Sequence, residues 1–319
     1  MKFTHADCAQ LLAAVDPSWR IREIEPVAAG MLNDVARVHL IGDQPSSVVI
    51  RARHFEDSRY GQEFAAERFV YALLPEERPA RPHLYGVGRL GLHRAAVFED
   101  IVGPSLDDML KDTAVSDHEK RGLILQIAED LAIMHSRPAH GFGTPRTVEY
   151  APDQALAFWS GLFSAEVEAL GSIAPQSVPA LADAVRGWLG AIEKAPHTLL
   201  RPCLVHGDVH GRNVLVRDGR CILIDWEAAR FRSPAYDLVQ LHTLDLATRP
   251  ADAALLREAY LSRRGSTCSA ETLEGLVRVF TGFWRTRMAI FMVANDRPGC
   301  PYFGTLVYWR AFLETGEFN

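Results

Sequence analysis

The chain has 319 residues, 48% of them hydrophobic and 23% charged, with a net charge of −6. That length allows two lobes or domains with a sizeable core. The balance excludes a collagen-like, disordered or strongly basic nucleic-acid-binding chain, and the mild acidity fits a cationic ligand or plain solubility. The cysteines, Cys8, Cys203, Cys221, Cys268 and Cys300, are scattered without a Cys-x-x-Cys pair. This argues against a disulfide framework or a zinc site. Cys203 and Cys221 are expected in neighbouring strands as small core residues. Residues 1–19 carry no apolar core of signal-peptide type, and the apolar run Leu276–Ala294 is broken by Arg278, Arg285 and Arg287. A reduced, cytoplasmic setting is expected, with no membrane and no nucleic-acid partner.

In chain order, residues 6–15 read as a short helix, and Val35–Leu40 and Ser47–Ala52 as strands joined by a polar turn at Gly42–Ser46. Phe64, Val70, Leu73 and Leu74 stud a helix over about 60–74 that Pro75 closes. Tyr85–Leu90 and Arg94–Phe98 read as two further strands. Together these make a small lobe with an antiparallel sheet and one long helix. From Pro104 the pattern turns helical. Ser116 and Glu119 have capping-box spacing, and Leu123, Ile127, Leu131 and Met134 line one face behind them. More helices are expected at 156–160, 181–192, 236–247, 251–263, 270–294 and 301–314. The fold class is therefore α+β, with a first lobe over 1–100 and a mainly helical second lobe over 101–319. The connection Phe98–Gly103, with Glu99 and Ile101 in it, is either an ordinary strand-to-helix loop or a linker with exposed main-chain groups.

The helical lobe is interrupted by the most informative stretch, His206-Gly207-Asp208-Val209-His210-Gly211-Arg212-Asn213, followed by Val214–Val216 and Cys221–Asp225. Asp218-Gly219 between two apolar runs is a strong two-residue hairpin signal. Counting outward from that turn sets Asn213 opposite Ile224, which brings Asn213 and Asp225 together at the open end of the hairpin. An amide oxygen and a carboxylate converging there suit a hard cation such as magnesium. Asp208 lies on the same loop, five residues ahead of Asn213, where a carboxylate could orient a substrate hydroxyl beside a bound phosphate. His206 and His210 share helical spacing, but the strand-like run behind them argues against a zinc site.

This pattern, His-Gly-Asp, four residues, Asn, then Ile-Asp-Trp-Glu and a later Tyr236-Asp237-Leu238, resembles the catalytic core of the aminoglycoside phosphotransferase and choline kinase-like family, relatives of protein kinases. The resemblance implies a protein-kinase-like two-lobe fold and a Mg2+-dependent transfer from ATP or GTP to a hydroxyl of a small molecule. That acceptor would be an aminoglycoside-like antibiotic, or alternatively a metabolite such as choline, a sugar or homoserine; a nucleotide-binding pseudokinase is the other alternative. It assigns Asp208 to catalysis, Asn213 and Asp225 to the metal, and His206 and Asp237 to bracing the loop. On the nucleotide side it implies Arg51 at the phosphates, where the family usually has lysine, with Glu67 as its partner in preference to Glu63. It also implies a Gly30–Asn33 turn over the phosphates, and main-chain groups around Glu99 and Ile101 at the base. Glu227, Asp245, Glu314 and Glu317 are candidates for a cationic acceptor, and Phe158, Trp159, Phe163, Trp284 and Trp309 are aromatic walls or core.

Overall fold

The computed structural model describes residues 3–29, 33–42, 45–53, 63–74, 78–173, 175–266 and 268–294. Gly30, Pro75, Trp309, Glu314, Glu317 and the helix expected at 301–314 lie outside them. The chain divides into two compact units. The first runs to Ser116 and adds Gly211–Ala229; the second takes Asp117–His210 and the chain from Arg230 onward.

In the first unit, α1 (His5–Val15) is capped by Thr4, whose hydroxyl accepts from the Asp7 amide. Five strands follow: β1 (Ile21–Ala29), β2 (Asn33–Leu40), β3 (Ser47–Arg53), β4 (Leu84–Leu90) and β5 (His93–Glu99), with α2 (Glu63–Leu73) between β3 and β4. They form one antiparallel sheet in the order β1-β2-β3-β5-β4. Strand alternation then sorts the two faces. Val48, Ile50 and Ala52 of β3 pack with Val38, Leu40, Leu90, Ala95 and Val97 against Cys8, Leu11 and Leu12 of α1. Burying each of these larger side chains is worth at most about 1.5–3 kcal/mol. The other parity of β3 carries Val49, Arg51 and Arg53 to the opposite face, where Ala96, Phe98 and Tyr71 gather.

The unit continues through α3 (Leu106–Lys111), whose Ser105 and Asp108 make a reciprocal capping box. The segment that returns at Gly211 carries the expected hairpin, β9 (Val214–Arg217) and β10 (Arg220–Leu223). Its register pairs Arg217 with Arg220 and Val214 with Leu223, and the Ile224 amide donates to the Asn213 carbonyl at 2.9 Å. Asp218 and Gly219, with φ of 53° and 69°, make the left-handed turn that this twist requires. Gly103 explains why the hairpin joins the first unit: a Cβ there would lie 2.0 Å from the Val216 carbonyl oxygen. Only glycine lets the connection lie against β9, where the Val216 amide donates to the Pro104 carbonyl at 2.8 Å.

In the second unit, α4 (Asp117–His135) buries Leu123, Ile127, Leu131 and Met134. A four-stranded sheet is ordered β7-β6-β11-β8, from β6 (Phe142–Thr144), β7 (Thr147–Tyr150), β8 (Cys203–Val205) and β11 (Arg230–Arg232). Around it stand α5 (Ala155–Ile173), α6 (Val178–Lys194), the short α7 (His197–Leu200) and α8 (Leu238–Gln240), α9 (Pro250–Arg263) and α10 (Ala270–Ala294). Two sequence expectations need correcting. Cys203 and Cys221 are both buried, but they lie in different sheets. The helix expected at 236–247 is a chain of short turns: 3-10 over Pro234–Asp237, α over Leu238–Gln240 and π over Leu241–Asp245. Phe158, Trp159, Phe163 and Trp284 are 7% exposed or less and form core, not an open aromatic wall.

Candidate active site

Parity on β3 and helical period on α2 meet at one buried cation. Arg51 points away from the α1 core, with its guanidinium 5.2 Å from the centre of the Phe98 ring. One guanidinium nitrogen donates to Glu67 on α2. Another donates to Asp225 Oδ1 at 2.5 Å. Glu67 also accepts from the Trp226 amide at 3.3 Å, so one carboxylate bridges the strand cation and the turn after the hairpin. Asp225 itself is held at φ 63°, ψ 62°, a left-handed conformation uncommon for a residue with a side chain. Such a residue is often found where a side chain must be aimed.

Next to this pair, Asn33 at the start of β2 donates through Nδ2 to Glu227 Oε2 at 2.8 Å, and Arg53 Nη1 lies 3.9 Å from the same oxygen. Glu227, a candidate for a cationic acceptor, lies in the charge cluster of the first unit with Asn33 and Arg53. Burial pushes the Glu67 carboxyl up to about 7 against the pull of Arg51. Burial also raises Glu227, with repulsion from Asp225 adding to it. Burial works against the charge on Arg51, but Glu67 and Asp225 more than offset this and hold its pKa above the ordinary arginine value. Glu99 is tied by Arg217 Nη1 at 2.8 Å and by the His83 amide at 3.0 Å, and Ile101 is buried.

The second unit contains the His206-Gly207-Asp208 loop, which continues directly from β8. Asp237, 2% exposed, receives the His206 amide on Oδ2 and the Gly207 amide on Oδ1, each at 2.7 Å. His135 Nε2 lies 3.0 Å from Asp237 Oδ2, and His135 Nδ1 lies 2.9 Å from the Tyr260 hydroxyl. Arg264 Nη1 reaches that hydroxyl at 3.1 Å and the His135 carbonyl at 3.0 Å. Arginine can only donate, so the Tyr260 oxygen accepts from it and Tyr260 turns its own proton to His135 Nδ1. Nε2 then carries the imidazole proton and donates it to Asp237. The donors converge on one carboxylate. Burial keeps His135 below its ordinary pKa and therefore neutral. Asp208 is partly exposed, with His210 Nε2 3.7 Å from its Oδ2. Burial would raise Asp208; hydrogen bonds from His210 and Gln240 outweigh it and hold the carboxyl below the usual range.

The sequence profile of the phosphotransferase enzyme family matches residues 23–272. The chain belongs to that family. Among solved structures it is similar to a GDP complex of an aminoglycoside 2′-phosphotransferase-IIIa variant, with a TM-score of 0.68, 18% identity and coverage of 98% of this chain and 96% of that one. A choline/ethanolamine kinase family protein from Mesorhizobium loti superposes with a TM-score of 0.65 at 18% identity, covering 99% and 97%. An amicoumacin kinase in complex with AMP-PNP, Ca2+ and Ami superposes with a TM-score of 0.58 at 13% identity, covering 96% and 91%. At these identities the likeness establishes the fold, which is protein-kinase-like α+β. A curated relative, acyl-CoA dehydrogenase family member 11 of Rattus norvegicus, is 32% identical over 133 residues, 40% of this chain and 16% of that protein. The chain therefore spans only a small part of that relative's length.

In this member of the phosphotransferase family, the hairpin end fits a divalent cation by its donor set. Asn213 and Asp225 offer oxygen ligands, and the Asn213–Ile224 hydrogen bond draws their backbones together. Among the described residues no three His, Cys, Asp or Glu side chains form a closed metal cage. An open site suits an ion such as Mg2+, which keeps waters and takes substrate phosphates. His135, Tyr260 and Arg264 were missed in the sequence. His135 lies 102 residues from Asp237 and 125 from Tyr260, and no local spacing signals such pairs. Among the described residues, no helix is long and apolar enough to cross a membrane.

Proposed function

We propose that this phosphotransferase moves the γ-phosphoryl group of ATP or GTP to a hydroxyl of a small molecule. The observation that carries the reading is the buried Arg51, held by Glu67 and Asp225 at the turn after the hairpin. A guanidinium held in place by carboxylates presents a fixed positive charge suited to phosphate oxygens. In this reading residues 1–100 serve the nucleotide and 101–319 the acceptor, although the hairpin packs with the first group. Arg51 anchors the phosphates and Glu67 sets its orientation. Gly30 and Asn33 belong to the turn over the phosphates, and main-chain groups at Glu99 and Ile101 meet the base.

The divalent ion that Asn213 and Asp225 would hold supplies charge neutralisation at the phosphates, the main demand of phosphoryl transfer. Asp208, kept ionised by His210 and Gln240, orients the acceptor hydroxyl and takes its proton late. Asp237 and the buried His206 brace the loop that carries Asp208. The aminoglycoside-like acceptor expected from the resemblance rests on the acidic net charge and the family's habit. Arginines on the strand beside the catalytic loop favour, within the metabolite alternative, an acceptor that carries a carboxylate, such as homoserine, over a cationic one. A nucleotide-consumption screen over antibiotics, amino alcohols, sugars and hydroxy acids tests the reading. One added phosphoryl mass on an acceptor, absent from Asp208→Asn, is expected. Consumption without acceptor modification would refute it.

A further inference from the structure

In the second unit Arg230 and Arg287 both repel Arg232, in a protein whose net charge is −6. Strand β11 pairs antiparallel with β8, Arg230 opposite Val205 and Arg232 opposite Cys203. Strand alternation puts both arginines on one face of the sheet and Phe231 on the other. β8 runs on into His206, Gly207 and Asp208, so this arginine pair lies beside the strand that delivers the catalytic loop. The Arg232 guanidinium lies 4.8 Å from the centre of the Tyr236 ring, and that of Arg287 on α10 lies 5.8 Å from the Phe283 ring. The two rings are 6.4 Å apart. Glu166 on α5 pairs with Arg287, Oε1 to Nε, at 3.2 Å. Burial raises the Glu166 carboxyl, and Arg287 and Arg232 both pull against that rise.

A cation over an aromatic face gains about 0.5–2 kcal/mol, whereas withdrawing a charge from water costs several kcal/mol unless a counter-charge replaces the water. Burial, together with repulsion from Arg287 and Arg230, draws Arg232 down to about 10 despite the help of Tyr236. It remains charged at neutral pH. An arrangement of this kind is stabilised by an incoming anion and opposed by an incoming cation.

We propose that Arg232 and Arg287, with Arg230 on the same strand face, form an anion-binding subsite in the second unit. The phosphoryl acceptor then carries a carboxylate or phosphate group besides its hydroxyl. The acceptor part rests on the phosphotransferase reading; the subsite does not. The test is equilibrium binding of inorganic phosphate and sulfate to the full chain at constant ionic strength, with the nucleotide site filled by a non-hydrolysable nucleotide. Saturable binding is expected, weakened about tenfold or more by Arg232→Gln, in line with a lost charge-assisted hydrogen bond, and partly restored by Arg232→Lys. Glu166→Gln should tighten it, a direction that a merely structural ion pair would not produce.

Gluconate should displace the bound phosphate; its skeleton mates glucose and glucosamine should not. Absent anion binding, binding indifferent to both substitutions, or displacement by glucosamine as good as by gluconate would overturn the subsite. A cationic or neutral acceptor turned over ahead of every anionic one would overturn the acceptor class and leave the kinase reading intact. Failure to bind nucleotide at all would break the kinase reading, and the loss of phosphate binding in Arg232→Gln relative to the unsubstituted chain would still judge the subsite.

Discussion

Two buried polar networks hold the chemistry of this protein, and they are balanced differently. Around Arg51 the charges are dense: Glu67, Asp225 and Glu227 face Arg51 and Arg53. Around Asp237 one carboxylate is met by two backbone amides and a neutral imidazole, backed by Tyr260 and Arg264. The second network is closed. Its donors and acceptors are matched within the fold, and it serves to hold a loop still. In the proposed reading the first exchanges partners, Asp225 giving up a guanidinium for a metal and Arg51 taking phosphate instead. A closed network is a scaffold, whereas an open one is suited to bind ligand.

The largest expected effect tests the loop that the closed network holds. Asp208→Asn should lower phosphoryl transfer about 10²–10⁴-fold while nucleotide affinity, measured by titration, stays near wild type. Turnover close to wild type would remove Asp208 from the chemistry and leave the closed network without its purpose. Arg51→Met strikes the open network. It leaves Asp225, and above about pH 7 Glu67 as well, without their cation, and breaking a buried pair costs about 3–5 kcal/mol. Denaturant unfolding should show that loss, and nucleotide binding should fall with it; a variant as stable as wild type would mean that the cluster is not charged as drawn.

Metal dependence sharpens the same contrast. Asp225→Ala should weaken divalent-dependent nucleotide binding by more than Asn213→Ala does, because a carboxylate brings a full charge and an amide only a dipole. Titrating magnesium at fixed nucleotide measures both, and equal, unshifted curves would dismiss the hairpin end as the metal site. The pH dependence of stability should also separate the networks. The folded Glu67 keeps its proton up to about 7, above the value of an unfolded glutamate, so folding takes up a proton in that window. Stability from this group is fully present below the unfolded value and declines as pH rises towards 7. Thermal unfolding of Glu67→Gln should lack that decline. The smallest effect belongs to Tyr260→Phe, which removes the hydroxyl that donates to His135 and accepts from Arg264, hydrogen bonds worth about 1 kcal/mol each. Its expected signature is a shift of His135 away from the Nε2-protonated tautomer by nitrogen NMR, with a few-fold loss in kcat and little change in KM. An unchanged tautomer would break the donor chain inferred from Arg264.

Legibility followed sequence distance. The hairpin register was readable from Asp218-Gly219 because a two-residue turn counts its own strands outward, and the Ile224–Asn213 hydrogen bond lies where that count put it. The face of Arg51 was readable from strand parity. β1 was not anticipated, since Ile21-Arg-Glu-Ile-Glu-Pro26 mixes charge with a proline and shows little apolar alternation. The stretch 236–247 has helical composition, but it is broken into short turns around the buried Tyr236 and Asp237.

The order of residues by itself determined the chemistry available: an Asp-bearing loop, an Asn and an Asp brought to one hairpin end, and an arginine on the sheet face away from the first core. These are consequences of turn geometry, strand alternation and helix period, which act within a few residues. Only the tertiary structure decided which side chains complete each network. His135 reaches Asp237 across 102 residues, and Glu227 turns to Asn33 across 194. Arg232 and Arg287 come to rest on neighbouring rings because α10 packs Phe283 near Tyr236. Pairings of that kind follow from the burial of whole elements, and no local pattern in the sequence encodes them.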